Sequence, residues 1–147
     1  MNHVAFDLSN LPEIICQLLP VVRESKVVTF TGPLGAGKTT LIRSLLVELG
    51  VDESVISSPT FAYVHEYRSI SGLIVYHFDL YRLSSLDDFF ALGFEEYLYM
   101  PGSIAFIEWP EIINPILREP MCAIELGYGD MFDRRWISLD IEKIAGL

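Results

Sequence analysis

Lys26-Val27-Val28-Thr29-Phe30-Thr31 runs straight into Gly32-Pro33-Leu34-Gly35-Ala36-Gly37-Lys38-Thr39, and this junction decides the fold. The first six residues form a short, β-branched apolar run that stops at a glycine, as a buried parallel strand does. The next eight satisfy GxxxxGK[ST], in which successive backbone N–H groups turn around a polyphosphate and a following helix adds its positive end. That helix is predicted from Lys38, because Leu41, Ile42, Leu45, Leu46 and Leu49 follow the 3.6-residue period, with Gly50 as its stop. Four fixed positions scanned over about 140 windows match by chance in roughly 0.5% of chains of average composition. The match is therefore read as a phosphate site. Lys38 is the cation for the β- and γ-phosphates, Thr39 the hydroxyl ligand of the bridging Mg²⁺, and Thr40 a further phosphate contact.

Working outward, Val4 to Leu8 is predicted as a strand, and Asn10 with Glu13 as a capping-box start of a helix carrying Ile14, Ile15, Leu18, Leu19 and Val22. Phe61 to Tyr67 and Leu73 to Tyr81 read as an antiparallel hairpin, and Ser84 and Ser85 with Asp87 and Asp88 as the capped start of a helix ending at Gly93. Ser103 to Ile107, Cys122 to Tyr128 and Trp136 to Ile141 complete the set of strands. The expected architecture is α/β: a P-loop NTPase-like three-layer sandwich with a central parallel sheet, an antiparallel hairpin and edge strands. No repeat or linker divides residues 1–147, so a single domain is expected.

A cradle of this kind needs an acid at the end of a neighbouring strand to complete the metal site. Glu108 closes the apolar run Ser103-Ile104-Ala105-Phe106-Ile107 and is the candidate, against a surface role beside Trp109 and Pro110. Glu111 lies beyond Pro110, where an acid in a first helical turn needs no catalytic explanation. Asp79 sits inside the run Tyr76 to Arg82, where a charge needs a partner. A metal-water role and an ion pair with Arg82 are both open on the residues alone. Thr60, after Pro59, is placed to sense a γ-phosphate. His65 and His77 form no HxH or HExxH pattern and read as structural.

The formal net charge of −10, from 10 Lys and Arg against 20 Asp and Glu, argues against a broad surface for DNA or RNA. Cys16 and Cys122 have no metal spacing and read as buried thiols. No stretch approaches the ~20 apolar residues of a membrane helix, and a cytoplasmic setting is expected.

Gly32 to Thr40, then Ser58-Pro59-Thr60-Phe61, His77-Phe78-Asp79-Leu80-Tyr81-Arg82 and Ile107-Glu108-Trp109-Pro110-Glu111 resemble, in this order, the TsaE (YjeE) family. Leu92 to Tyr97 also looks family-like. The motifs span residues 32–111, 80 of the 147. Members are bacterial P-loop ATPases required for making threonylcarbamoyladenosine on tRNA. The resemblance implies Mg-ATP as ligand and TsaD and TsaB as partner proteins, with tRNA contacted only through them. It makes Gly32, Pro33, Leu34, Gly35, Ala36, Gly37, Lys38, Thr39, Thr40 and Trp109 the nucleotide contacts, and Thr39 and Glu108 the metal residues. Asp79 becomes a nucleotide-site acid and Thr60 a switch-like residue. Without the resemblance, the cradle also fits a small-molecule kinase, although the arginines show no lid-like cluster, or a GTP-controlled switch, although no NKxD segment is present.

Overall fold

The computed structural model describes residues 4–59, 61–118, 120–129 and 135–142, of which 139–142 are described by backbone alone. Seven strands form one sheet in the order β1-β7-β6-β2-β5-β4-β3. The strands are β1 (Val4–Phe6), β2 (Val27–Thr31), β3 (Val64–Arg68), β4 (Ile74–Asp79), β5 (Ser103–Glu108), β6 (Met121–Tyr128) and β7 (Arg135–Glu142). The central four, β4, β5, β2 and β6, run parallel. The hairpin strand β3 closes one edge antiparallel to β4, while β7 and β1 add antiparallel strands at the other.

Side-chain alternation sorts each central strand between two cores. Val28 and Phe30, Ile104 and Phe106, and Cys122, Ile124 and Leu126 pack with α1 (Leu11–Glu24) and α2 (Lys38–Glu48) through Leu18, Val22, Leu41 and Leu45. Val27, Tyr76, Phe78, Ala105 and Ile107 face the other way. They meet Phe89 of α3 (Leu86–Ala91) and Phe94 and Ile113 from short 3-10 turns. The result is the expected three layers, around a mixed sheet whose central four strands are parallel.

The expected capping of α3 is present, the Ser85 hydroxyl accepting from the Asp88 N–H. That of α1 takes another form. Asn10 precedes the helix but does not cap it with its side chain. Its carboxamide accepts from the Asp7 N–H at 2.8 Å and donates to the Ala5 carbonyl at 3.1 Å, folding the β1–α1 connection instead. Cys16 departs from expectation too, since it lies exposed on α1 while Cys122 is buried. The apolar face of α1 is already filled by Leu11, Ile14, Ile15, Leu18 and Val22.

Candidate functional site

Parallel strands end on the same side of a sheet, and open α/β folds bind ligands beyond those carboxyl ends. Here β2 ends at the cradle, β4 at Asp79 and β5 at Glu108. In register, Asp79 faces Glu108, and Phe30 pairs with Glu108 from the other side. Two acids that stand 29 residues apart in the chain therefore reach the cradle side by side.

A cavity of about 430 Å³ opens at this edge, lined by Leu34, Gly35, Gly37, Lys38, Thr39, Thr40, Asp79, Glu108 and Trp109, together with Ser58, Tyr81 and Arg82. Gly32, Pro33 and Ala36 are not in its wall. Ala36 is fully buried in the core, and its N–H donates to the Pro33 carbonyl at 3.1 Å rather than turning toward the cavity. The carbonyls of Gly32 and Pro33 both accept from the Lys38 ammonium, the second at 3.3 Å.

The glycines are set by space as well as by φ. Gly32 lies at φ 149°, where a Cβ would run into the Leu126 carbonyl of β6, and Gly35 lies at φ 79°, where a Cβ would stand 2.8 Å from the Tyr128 hydroxyl. Both contacts come from the β6–β7 side. Tyr128 donates its hydroxyl to the Leu34 carbonyl, and Arg135 donates Nε–H to the Gly35 carbonyl at 3.4 Å. Two consecutive carbonyls of the loop are thus tied to the β6–β7 side.

Lys38 is 6% exposed, and its ammonium lies 3.9 Å from the centroid of the Trp109 ring. Burial pulls its pKa below the ordinary lysine value, opposed by the charges of Glu108, Glu111 and Asp79 in that order. Trp109 reaches it from φ 57°, a left-handed conformation unusual for a bulky residue, directly before the turn at Pro110. The Asp79 carboxyl is pushed above its ordinary value, first by burial and then by Glu108. The Tyr81 N–H, which donates to Asp79 Oδ1 at 3.1 Å, opposes this, as do His77 and Lys38. Arg82 is turned to the Phe61 ring, 4.6 Å from its centroid, so the ion pair with Asp79 is not what holds that acid. Thr60 lies outside the described residues.

A model of the family described as threonylcarbamoyl adenosine biosynthesis protein TsaE matches residues 7–136. The chain belongs to the TsaE family. Among relatives, it is 36% identical over 120 residues to the tRNA threonylcarbamoyladenosine biosynthesis protein TsaE of Rickettsia felis, covering 82% of this chain and 67% of that protein. It is 41% identical over 126 residues to the protein of the same name from Treponema pallidum, covering 86% and 88%. The chain spans about two thirds of the length of the Rickettsia felis and Rickettsia conorii relatives. The crystal structure of Bacillus subtilis YdiB superimposes with a TM-score of 0.62 and 27% identity, covering 95% of this chain and 86% of that one.

His77, which reads as structural from the sequence, reaches the site. His77 is 2% exposed, and its Nε2 lies 2.9 Å from Glu108 Oε2. The strand period carries the signal, since Val75, His77 and Asp79 share one face of β4 and Asp79 lines the cavity.

Proposed function

We propose that this chain is an ATP-binding and ATP-hydrolysing subunit that supports threonylcarbamoyladenosine modification of tRNA together with the TsaD and TsaB proteins, in the cytoplasm, and that its 147 residues act as one ATPase domain. The observation that carries the reading is the convergence of Lys38, Thr39, Asp79 and Glu108 on one cavity at the carboxyl ends of parallel strands. Membership of the TsaE family supplies the process.

The residues fit a magnesium-bound triphosphate. A loop in which a Cβ at Gly32 or Gly35 would collide with β6, and which ends in a helix N-terminus with a lysine, offers N–H groups and one cation to phosphate oxygens. Thr39 and Glu108 give the hydroxyl and carboxylate oxygens that a hard cation prefers. Among the described residues no group of three or more His, Cys, Asp and Glu is arranged to hold a metal ion by itself. That suits an ion completed by phosphates and water rather than by a protein cage. Bound Mg²⁺ would neutralise charge developing on the phosphate oxygens.

Each residue then has a task. Lys38 leaves the Gly32 and Pro33 carbonyls for the phosphates, Thr39 and Glu108 hold the ion, and Asp79 orients water by accepting its proton in a hydrogen bond. The acidic balance of the chain, −10 overall, leaves contact with tRNA to the partners. Among the described residues no helix is long and apolar enough to cross a membrane.

Calorimetric titration with Mg-ATP and a hydrolysis assay in the presence of TsaD and TsaB test the proposal. Saturable binding lost in Lys38→Ala, with hydrolysis that depends on Glu108, is the expected result. Equal affinity in Lys38→Ala would remove the cavity as the nucleotide site.

A further inference from the structure

We propose that His77 is the positioning residue for Glu108, fixing which way its carboxylate faces the cavity. The inference rests on reading Glu108 as the metal-site acid. Both side chains are buried, His77 at 2% and Glu108 at 4% exposure, and Nε2 and Oε2 lie 2.9 Å apart. A carboxylate has no proton to give, so Nε2–H donates. The strand register explains how they meet. Asp79 faces Glu108 across β4 and β5, and His77, two residues earlier on the same face of β4, lies against Phe106. Glu108 is therefore approached by Asp79 at the mouth and by His77 from further inside the sheet.

The other ring nitrogen sharpens the assignment. His77 Nδ1 is buried and has no hydrogen-bond partner among the described residues. Burying an imidazole with one nitrogen unsatisfied carries a desolvation cost that an apolar side chain in that core would avoid. What the ring uniquely provides is one donor to one oxygen of Glu108. That bond commits Oε2 to His77 and fixes the carboxylate plane, as groups behind a metal ligand characteristically do.

Two amides of different reach test this in the full chain. The Gln side-chain nitrogen falls where His Nε2 lies, whereas that of Asn falls near Nδ1 and stops short of Glu108. ADP affinity is measured by calorimetry with Mg²⁺ and with a chelator, and single-turnover ATP hydrolysis is measured alongside. His77→Gln should keep the affinity gained from Mg²⁺ and most of the rate. His77→Asn should lose about fivefold of that gain and about tenfold in rate, with metal-free affinity unchanged. The His77→Asn, Glu108→Gln double variant should be no slower than Glu108→Gln, because the histidine acts through the acid.

Wild-type behaviour in a folded His77→Asn, a His77→Gln as impaired as His77→Asn, or full additivity in the double variant would each overturn the proposal. Should His77→Asn not fold, His77→Gln decides: loss of the Mg²⁺ gain in that folded variant is equally fatal. A Glu108→Gln variant indistinguishable from wild type would instead remove the underlying reading of Glu108, and this proposal with it.

Discussion

Asp79 and Glu108 are register partners on adjacent parallel strands, so two carboxylates that both line the cavity stand side by side in its wall. Such a pair is unfavourable in the nucleotide-free protein. The raised Asp79 pKa reports this, caused first by burial and then by the neighbouring Glu108.

The sign of the resulting pH dependence follows. Because folded Asp79 holds its proton more tightly than the unfolded chain does, stability is fully present below the ordinary Asp value of about 4 and falls as pH rises through the higher folded value. Asp79→Asn removes that loss. At neutral pH the variant without nucleotide should melt on the order of 2–4 °C above wild type, with the gap closing near pH 4. Mg-ATP should reverse the order by stabilising wild type more. Scanning calorimetry at both pH values, with and without Mg-ATP, checks this. A lower melting point for Asp79→Asn at neutral pH would contradict it.

Lys38 is expected to be indispensable for binding, because its buried ammonium is held by the loop carbonyls of Gly32 and Pro33 at the proposed phosphate site. Lys38→Ala should weaken ATP binding by about a hundredfold or more, the scale of losing a charge-assisted contact to a polyphosphate. Folding should survive, since the buried face of α2 keeps Leu41, Ile42, Leu45 and Leu46. Calorimetric affinity together with a melting curve separates the two effects.

Trp109 should report the same event optically. With Lys38 lying 3.9 Å from its ring, drawing the ammonium onto phosphate changes the charge over the indole. The chain has 2 tryptophans, so a Trp136→Phe background isolates the signal. Emission should shift saturably with ATP, and the shift should be absent in Lys38→Ala. An ATP-insensitive Trp109 would mean that Lys38 stays on the ring when nucleotide binds.

Gly35→Ala should damage the cradle in two ways. It places a Cβ at φ 79° and 2.8 Å from the Tyr128 hydroxyl, which itself ties down the Leu34 carbonyl. The left-handed conformation alone costs about 1–2 kcal/mol for a residue with a side chain, and displacing Tyr128 frees the loop to lose its shape. A fall in denaturant midpoint with about tenfold weaker nucleotide binding is expected. Unchanged affinity would show that the Tyr128 tether is dispensable.

The parts of this site legible in the sequence were those written locally. Gly32 to Thr39 is one contiguous spacing, and Glu108 announces itself as an acid at the end of a buried run. The layers follow from period-two and period-3.6 patterns that match the two cores. Register between parallel strands has no local signature, so the pairing of Asp79 with Glu108 and the bond from His77 to Glu108 appear only when β4 lies beside β5. The hold of Tyr128 on Leu34 joins residues 94 apart and was equally invisible. Asn10 and Cys16 show the opposite failure, in which a plausible local motif was overridden by a competing turn and by an already filled helix face.

Dependence on partners is the last expectation, and the mouth of the cavity supports it. Leu34, Phe61 and Tyr81 are 64%, 80% and 54% exposed, and Leu34 and Tyr81 line the opening while Phe61 is held beneath Arg82. Large apolar side chains facing water at or near the opening of the proposed nucleotide site suit a surface that another protein covers. On the proposed ATPase reading, until the mouth is covered water would not be excluded from a reacting phosphate, and hydrolysis would gain little from the electrostatics of the site. The isolated chain should accordingly be a slow ATPase that a TsaB–TsaD mixture stimulates by about tenfold or more. Phe61→Ala and Thr60→Ala should bind ATP normally and lose that stimulation, because one removes exposed contact surface and the other the proposed sensor. Steady-state hydrolysis with and without the partner proteins is the measurement. Full turnover by the chain alone, with no gain when TsaB and TsaD are added, would make it a self-contained NTPase and leave the exposed ring around its mouth without this purpose.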